Sequence, residues 1–314
     1  MSDAEIPVRL VAIRRAAEGT HLYEFAALDG GNLPPFEPGA HIDVCLPNGL
    51  TRQYSLCNSV HETDRYVVGV KLDRNSRGGS RYMHESLRVG ATLTVSAPRN
   101  HFALVHDAPA YAFIAGGVGI TPIACMISRL NSLGRPWTLH YAVRTRAEAA
   151  FLDQLQGPGL HLHVDTEHNG EVLDVNLAVA SAPRDAHLYC CGPTPMLDAF
   201  EQACADRPTE LVHLERFSSD VAPAVEGGYT VELTRSNRTV EIAPGQTILD
   251  AVRACGVNVR ASCQQGVCGA CETRVVSGLP DHRDTLLSPE ERAANDVMMI
   301  CCSGSLTKVL ALDL

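Results

Sequence analysis

The sequence predicts a multidomain chain of β and α/β class. It comprises an antiparallel β-barrel over residues 1–105, a parallel-sheet α/β domain over 106–217, a linker at 218–228 and an α+β domain over 229–314. Three observations carry this. The first hundred residues break into short strand-like runs separated by turn residues. From about residue 108, apolar strand runs alternate with helical patterns. After a small, polar, Pro/Gly-bearing stretch at 218–228 (SSDVAPAVEGG) a third texture begins. A length of 314 residues suits two or three domains.

Taken in order, strands are expected at 8–13, 21–27, 41–46, 53–58, 66–72 and 92–97, with turns at Asp29-Gly30-Gly31, Pro34-Pro35 and Pro47-Asn48-Gly49. Many short strands with regular turns make a small barrel. The second domain reads as strand 111–115, helix 122–133, strand 137–143, helix 147–156, strand 160–165, strand 187–191 and helix 194–205. Such alternation builds βαβ units on a parallel sheet. The third opens with strands at 229–234 and 238–242, a Pro244-Gly245 turn and a helix from about Thr247; no solenoid repeat is present.

Composition narrows the function. Apolar residues at 45% and charged residues at 20% are those of a globular protein, not a disordered one. Acids outnumber bases 36 to 26, Lys occurs only at 71 and 308, and no basic cluster stands out, so a nucleic-acid partner is not expected. The N-terminus has no basic segment leading an apolar one, so a cytoplasmic chain is expected. Residues 108–128 are uncharged and long enough to span a bilayer, but Gly116, Gly117, Gly119 and Pro122 divide them. A strand, a glycine turn and a helix explain the segment better than a membrane span.

Of 12 cysteines, six lie in the last sixty residues. With no export signal a disulfide framework is not expected, and metal ligation comes first. Cys263, Cys268 and Cys271 are spaced Cys-x4-Cys-x2-Cys, and Cys301 follows thirty residues later. That is the plant-type [2Fe–2S] spacing. Gly266 and Gly269 allow the loop to wrap a cluster and aim N–H groups at its sulfurs. A zinc site would favour two close pairs or Cys/His mixtures; unligated cysteines are the remaining alternative.

Two further constellations bind anions. In Arg52-Gln53-Tyr54-Ser55-Leu56, strand alternation puts Arg52, Tyr54 and Leu56 on one face. An Arg grips a phosphate bidentately, and a neighbouring Tyr covers a planar ring. Arg77-Gly78-Gly79-Ser80 opens a helix to about Leu87, and such a start favours an anion. Gly116-Gly117-Val118-Gly119-Ile120-Thr121-Pro122 follows a strand and opens a helix, though it is not the Rossmann G-x-G-x-x-G. Tyr189-Cys190-Cys191-Gly192-Pro193-Thr194-Pro195-Met196 makes a second turn of that kind. In a doubly wound sheet both lie on the carboxyl edge, where ligands bind.

With Pro98-Arg99-Asn100-x-Phe102 added, these motifs resemble, over essentially all of 7–314, the reductases of Rieske-type aromatic oxygenases, the phthalate dioxygenase reductase and vanillate O-demethylase reductase family. That family is similar to ferredoxin reductases with a plant-type, β-grasp ferredoxin at the C-terminus. The resemblance implies an NADH-dependent flavin and iron–sulfur oxidoreductase carrying FMN and a [2Fe–2S] cluster. It implies that Arg52, Gly78, Gly79 and Ser80 hold the FMN phosphate, with Lys71 also at the FMN. Tyr54, Ser55, Thr121 and Phe217 would stand near the flavin ring. Gly117, Gly119, Cys191, Gly192 and Pro193 would line the NADH site. The absence of an evident adenine platform beyond the phosphate motifs favours FMN over FAD.

Cys301 and Cys302 are adjacent after an apolar strand at 297–300, so alternation lets only one face the 263–271 loop unless a bulge intervenes. The family's Cys-x-Ser pattern, met by Cys301 and Ser303, selects Cys301. Arg146 after strand 137–143 leaves NADH over NADPH less settled. The implied partner is the terminal oxygenase, with a monomeric reductase. Another one-electron acceptor, such as a cytochrome or di-iron monooxygenase, or a non-catalytic redox sensor, are the alternatives. The third domain holds 10 acids and 8 bases, too balanced for strong steering. His161, His163 and His168 are given no role.

Overall fold

The computed structural model describes residues 5–74 and 76–314, which divide between Arg216 and Phe217 into two compact units. The first unit begins with strands β1 (Glu5–Ala17), β2 (Thr20–Ala27), β3 (His41–Cys45), β4 (Thr51–Ser55), β5 (Arg65–Lys71) and β6 (Thr92–Ser96), with helix α1 (Gly79–Glu85) before β6. They pair antiparallel in the order β4-β3-β6-β1-β2-β5, and a bridge between Leu56 and Val68 joins the two ends. The sheet thus closes on itself and removes its open edges. Alternate residues point inward: Val8 and Leu10, Tyr23 and Phe25, Ile42 and Val44, Val68 and Val70 form one core. A register shift between Leu10 and Ala12 lets the long β1 bend between its two partners.

The chain continues through β7 (Tyr111–Gly116), α2 (Ile120–Ser132), β8 (Thr138–Val143), β9 (Leu160–Val164), α3 (Val175–Ser181), β10 (His187–Cys191), α4 (Thr194–Ala203) and β11 (Val212–Glu215). The sheet is parallel throughout, in the order β11-β10-β7-β8-β9. The chain first builds to one side of β7 and then returns to the other. The direction of winding therefore reverses between β7 and β10, where open α/β sheets leave a crevice. Both anion-binding turns of the sequence end these two strands.

One predicted element is corrected. Residues 147–156 do not form a helix; a single 3-10 turn at Arg146–Glu148 gives way to irregular chain. The Ala150 N–H donates to the Tyr141 hydroxyl at 3.1 Å, and Phe151 adopts a left-handed φ of 63°. A side chain has captured a donor that a helix would have used. Helix α3, capped by the Asp174 carboxylate on the Leu177 N–H, and strand β11 were not anticipated.

The second unit holds β12 (Tyr229–Leu233), β13 (Arg238–Ile242), α5 (Ile248–Ala254), β14 (Glu272–Ser277), β15 (Pro280–Asp281), α6 (Pro289–Ala294), β16 (Val297–Met299), β17 (Gly304–Ser305) and β18 (Val309–Leu312). Its main sheet runs β13-β12-β18-β14-β16, with β12 and β18 parallel and the other pairs antiparallel. Thr247 and Asp250 form a reciprocal capping box that starts α5 where the Pro244-Gly245 turn predicts it. Ile248, Leu249 and Val252 bury the helix in the sheet's core, giving the β-grasp arrangement. Among the described residues no helix is long and apolar enough to cross a membrane, and 108–128 resolves into strand, glycine turn and helix.

Candidate functional site

In the second unit the loop 262–271 is folded tightly. Gly266 has φ 69°, and a Cβ there would stand 2.5 Å from Cys302 Sγ and 2.7 Å from Asp284 Cα, so only glycine fits. This turns four buried thiols toward one another. Cys263 meets Cys268 and Cys301, and Cys271 meets Cys301, through side-chain hydrogen bonds. The Gln265 N–H donates to Cys263 Sγ at 3.3 Å. Contact between the thiols, reinforced by burial, pushes Cys268 and Cys271 up, a cost that bound iron would offset by stabilising the thiolates. Among the described residues no three His, Cys, Asp or Glu surround a point suited to one metal ion. The thiols instead touch in a chain, Cys268 to Cys263 to Cys301 to Cys271. A [2Fe–2S] cluster takes two ligands on each iron, so this donor set fits it.

The strand argument for the fourth cysteine is corrected. Strand β16 ends at Met299, and Ile300–Cys302 form a turn, so face alternation does not govern these thiols. Cys301 reaches the other three cysteines' loop. Cys302 also faces that loop, over Gly266, and lies 3.6 Å from the Met299 carbonyl and 3.9 Å from Ser303 Oγ.

In the first unit, Arg52 of β4 and the start of α1 form one structure. The guanidinium donates to the Thr51 and Arg77 carbonyls at 2.8 and 3.0 Å. Its stem crosses Gly79 so closely that a Cβ there would stand 2.6 Å from Arg52 Cγ. Ser76 Oγ accepts from the Gly78 N–H and the Ser80 hydroxyl at 3.2 and 3.0 Å, binding the 76–80 turn together. This glycine cradle beneath an Arg, beside Tyr54 on the same strand, suits the phosphate and ring of a flavin mononucleotide. Lys71, at the end of β5, instead donates to Glu148 Oε2 at 2.7 Å, and its Nζ lies 3.9 Å from where a Gly117 Cβ would be. It stands where the barrel meets the nucleotide turn.

The two glycine turns pack backbone to backbone. A Cβ on Gly119 would lie 2.1 Å from the Cys191 carbonyl oxygen, and one on Gly192 would lie 3.2 Å from Gly116 Cα. Pro193 packs on Gly116 in the same way. Thr121 is buried: its hydroxyl donates to the Val118 carbonyl at 2.9 Å, and its methyl group would clash with any Cβ on Gly69 of β5. Cys191 is buried too, and burial pushes its thiol up, so it is no nucleophile.

Sequence reasoning missed the residue beside Ser55. Glu215, closing β11, accepts from the Ser55 hydroxyl at 3.4 Å, and His41 Nδ1 lies 4.0 Å from its other oxygen. Burial raises Glu215 to about 8, against the Ser55 hydrogen bond. Burial, helped by Arg99, lowers His41 to about 3. Both are therefore neutral at pH 7, and their contact is not an ion pair. The Glu215-Arg216-Phe217 segment was singled out for Phe217 alone, because β11 is too short to register as a strand. Phe217 itself starts the second unit and is 42% exposed.

Comparison with known proteins agrees with this geometry. A family profile for 2Fe-2S iron-sulfur cluster binding domains matches residues 231–304. Phenoxybenzoate dioxygenase subunit beta of Ectopseudomonas oleovorans is 54% identical over 99% of this chain and 98% of its own length. The crystal structure of phthalate dioxygenase reductase, described as modular for electron transfer from pyridine nucleotides to [2Fe-2S], superposes with a TM-score of 0.75. It is 35% identical and covers 99% of this chain and 98% of the other. The chain belongs to the phthalate dioxygenase reductase family. An intact type IV self-sufficient cytochrome P450 monooxygenase is also similar, with TM-score 0.87 and 39% identity over 99% of this chain; the match spans only 41% of that protein. Like its relatives in the family, the chain is an electron-transferring oxidoreductase.

A stability prediction follows from Glu215. Its folded pKa is raised, so its contribution is intact below about 4.5 and is lost as the pH climbs toward 8, because only the unfolded chain releases the proton in that window. Glu215→Gln should flatten the fall in first-unit stability between those pH values. Thermal melts across the window check it; an unchanged slope would show that Glu215 is not held protonated.

Proposed function

We propose that this chain is the NADH-dependent reductase of a Rieske-type aromatic oxygenase, a dioxygenase or an O-demethylase, working through FMN and one [2Fe–2S] cluster. The observation that carries the reading is the convergence of the four buried thiols of Cys263, Cys268, Cys271 and Cys301. That chain also holds a phosphate cradle and a glycine-lined nucleotide crevice. When bound, the flavin accepts the electron pair of a hydride and releases it singly, and the cluster relays one electron at a time.

The remaining work is positional. Arg52, Gly78, Gly79 and Ser80 hold the FMN phosphate. Tyr54, Ser55, Lys71 and Thr121 border its ring. Gly117, Gly119, Cys191, Gly192 and Pro193 let the dinucleotide approach the sheet edge. Neutral Glu215 and His41 keep uncompensated charge away from Ser55, and no protein nucleophile or triad is called for. Twelve cysteines without a disulfide support a reducing, cytoplasmic setting. Carriage of both redox groups on one chain supports a monomer as the working unit. The similarity to part of a P450 monooxygenase supports one second reading, a haem protein as acceptor.

Selection of NADH is supported beyond β8 and β9. Arg146 is held bidentately by Glu167 at 2.8 and 2.7 Å, and Asp165 precedes it on the same turn. An adenosine 2′-phosphate arriving at this edge would meet an occupied Arg and two carboxylates. Glu167→Ala should raise kcat/KM for NADPH by about tenfold, the scale of one charged contact, with little change for NADH. Equal effects on both nucleotides would place the adenosine elsewhere.

Division of labour tests the whole reading. In Cys268→Ser protein, NADH should still bleach the flavin, while transfer to cytochrome c or the oxygenase collapses. Undiminished transfer to the oxygenase would make the relay wrong. The choice of fourth ligand is tested separately. Cys301→Ser should lose iron and the visible absorption of the cluster, whereas Cys302→Ser keeps both. Iron analysis and spectra of the two variants decide; the reverse pattern would assign Cys302.

A further inference from the structure

The Asp281-His282-Arg283-Asp284 segment has no part in the function so far. It begins on the last residue of β15 and lies against the cysteine loop. Asp284 is 3% exposed, and its Cα and Cβ are the atoms that a Gly266 side chain would strike, at 2.7 and 2.9 Å. The next residue's N–H donates to the Gly266 carbonyl at 3.1 Å. One carboxylate oxygen accepts from the Leu286 and Leu287 amides at 3.1 and 2.8 Å. The other is buried with no hydrogen-bond partner; its nearest cation-forming neighbour is His282 Nδ1, at 3.7 Å. Arg292 of α6 donates to the Asp284 carbonyl at 2.5 Å and leaves its Nη2 3.8 Å from the carboxylate. Asp284 also acts electrostatically on the neighbouring Cys302.

A half-satisfied carboxylate inside a domain is costly, and anchoring the loop does not require it, since a neutral amide acceptor would serve the two N–H groups as well. What a neutral residue cannot supply is charge. The potential of an iron–sulfur cluster depends on nearby charge, on hydrogen bonds to its sulfurs and on exposure to water. Reduction adds one negative charge to a group already surrounded by four thiolates. A fixed carboxylate in a low-dielectric interior opposes that addition, and a cation beyond it offsets part of the opposition.

We infer that Asp284 is a positioning and tuning residue for the cluster: it braces the 263–271 loop at Gly266 and its buried charge holds the cluster's reduction potential down, with Arg292 as counter-charge. This rests on the cluster assignment of the preceding subsection. The oxidised and reduced cluster differ by one electron, supplied by NADH through the flavin. Asp284 exchanges no electron and breaks no bond. Its effect is on how strongly the cluster retains the electron before passing it on.

The test is a potentiometric titration of the cluster in the full-length holoprotein, followed by its low-temperature EPR signal. Asp284→Asn keeps an oxygen for the two amides and removes the charge. The expected result is wild-type iron content, a midpoint displaced in the positive direction, and an unchanged rate of flavin reduction by NADH. Arg292→Gln, which strips the counter-charge, should move the midpoint in the negative direction. A wild-type midpoint in cluster-loaded Asp284→Asn protein overturns the inference. If that variant does not load its cluster, Arg292→Gln decides, and a midpoint that stays or rises overturns it. Absence of any EPR-active cluster in the wild-type chain would instead overturn the cluster assignment itself, so the two failures are distinct.

Discussion

Close approach of main chain or a packed side chain to a glycine, with no room for a Cβ, is the constraint on which both halves of this molecule depend. Gly119 against the Cys191 carbonyl brings two strand-to-helix turns into contact and creates a crevice at the reversal point of the parallel sheet. Gly79 beneath Arg52 allows a guanidinium to lie across a helix start. Gly266 beneath Cys302 and beside Asp284 closes the cysteine loop tightly enough for four thiols to meet. A methyl group at any of these points would have to displace main chain or a packed side chain.

The barrel and the opening hairpin of the second unit were legible in the sequence because their strands carry their own evidence. Val8 and Leu10, buried between exposed neighbours, show the alternation of a half-buried pleat, and the intervening turns carry Gly, Asn and Pro. The cysteine spacing was legible for a different reason: its ligand geometry is local. Residues 147–156 misled because Ala149, Ala150, Phe151 and Leu155 are indeed buried, at helix-like spacing. Burial pattern alone does not say where the amides go, and Tyr141, nine residues before Ala150 on β8, takes one of them. The strand argument for Cys301 and Cys302 failed similarly, because the strand stops at Met299. Glu215 was overlooked because its importance comes from Ser55 and His41, each more than 150 residues away in sequence.

Around Ser55 burial discharges two titratable residues: Glu215 is held protonated and His41 unprotonated. Asp43 is the exception: one oxygen is paired with Arg99 at 2.8 Å, and the other is buried without a hydrogen-bond partner. A site that must admit a negatively charged dinucleotide benefits from such neutrality, since buried carboxylates would repel it and a buried cation would retain the product. Lys71 fits the same logic, because Glu148 occupies its ammonium until a competing anion arrives.

Beside the cysteine loop Asp284 is likewise kept inside with one oxygen unsatisfied. Hydride delivery would carry two electrons with a proton, one net negative charge, and transfer of a single electron to a thiolate-bound cluster would add the same net charge with no proton of its own. The protein can adjust the second step only through fixed charges and amide dipoles close to the sulfurs. The division between Arg216 and Phe217 lets the cysteine loop and its carboxylate be built around a core separate from that of the first unit.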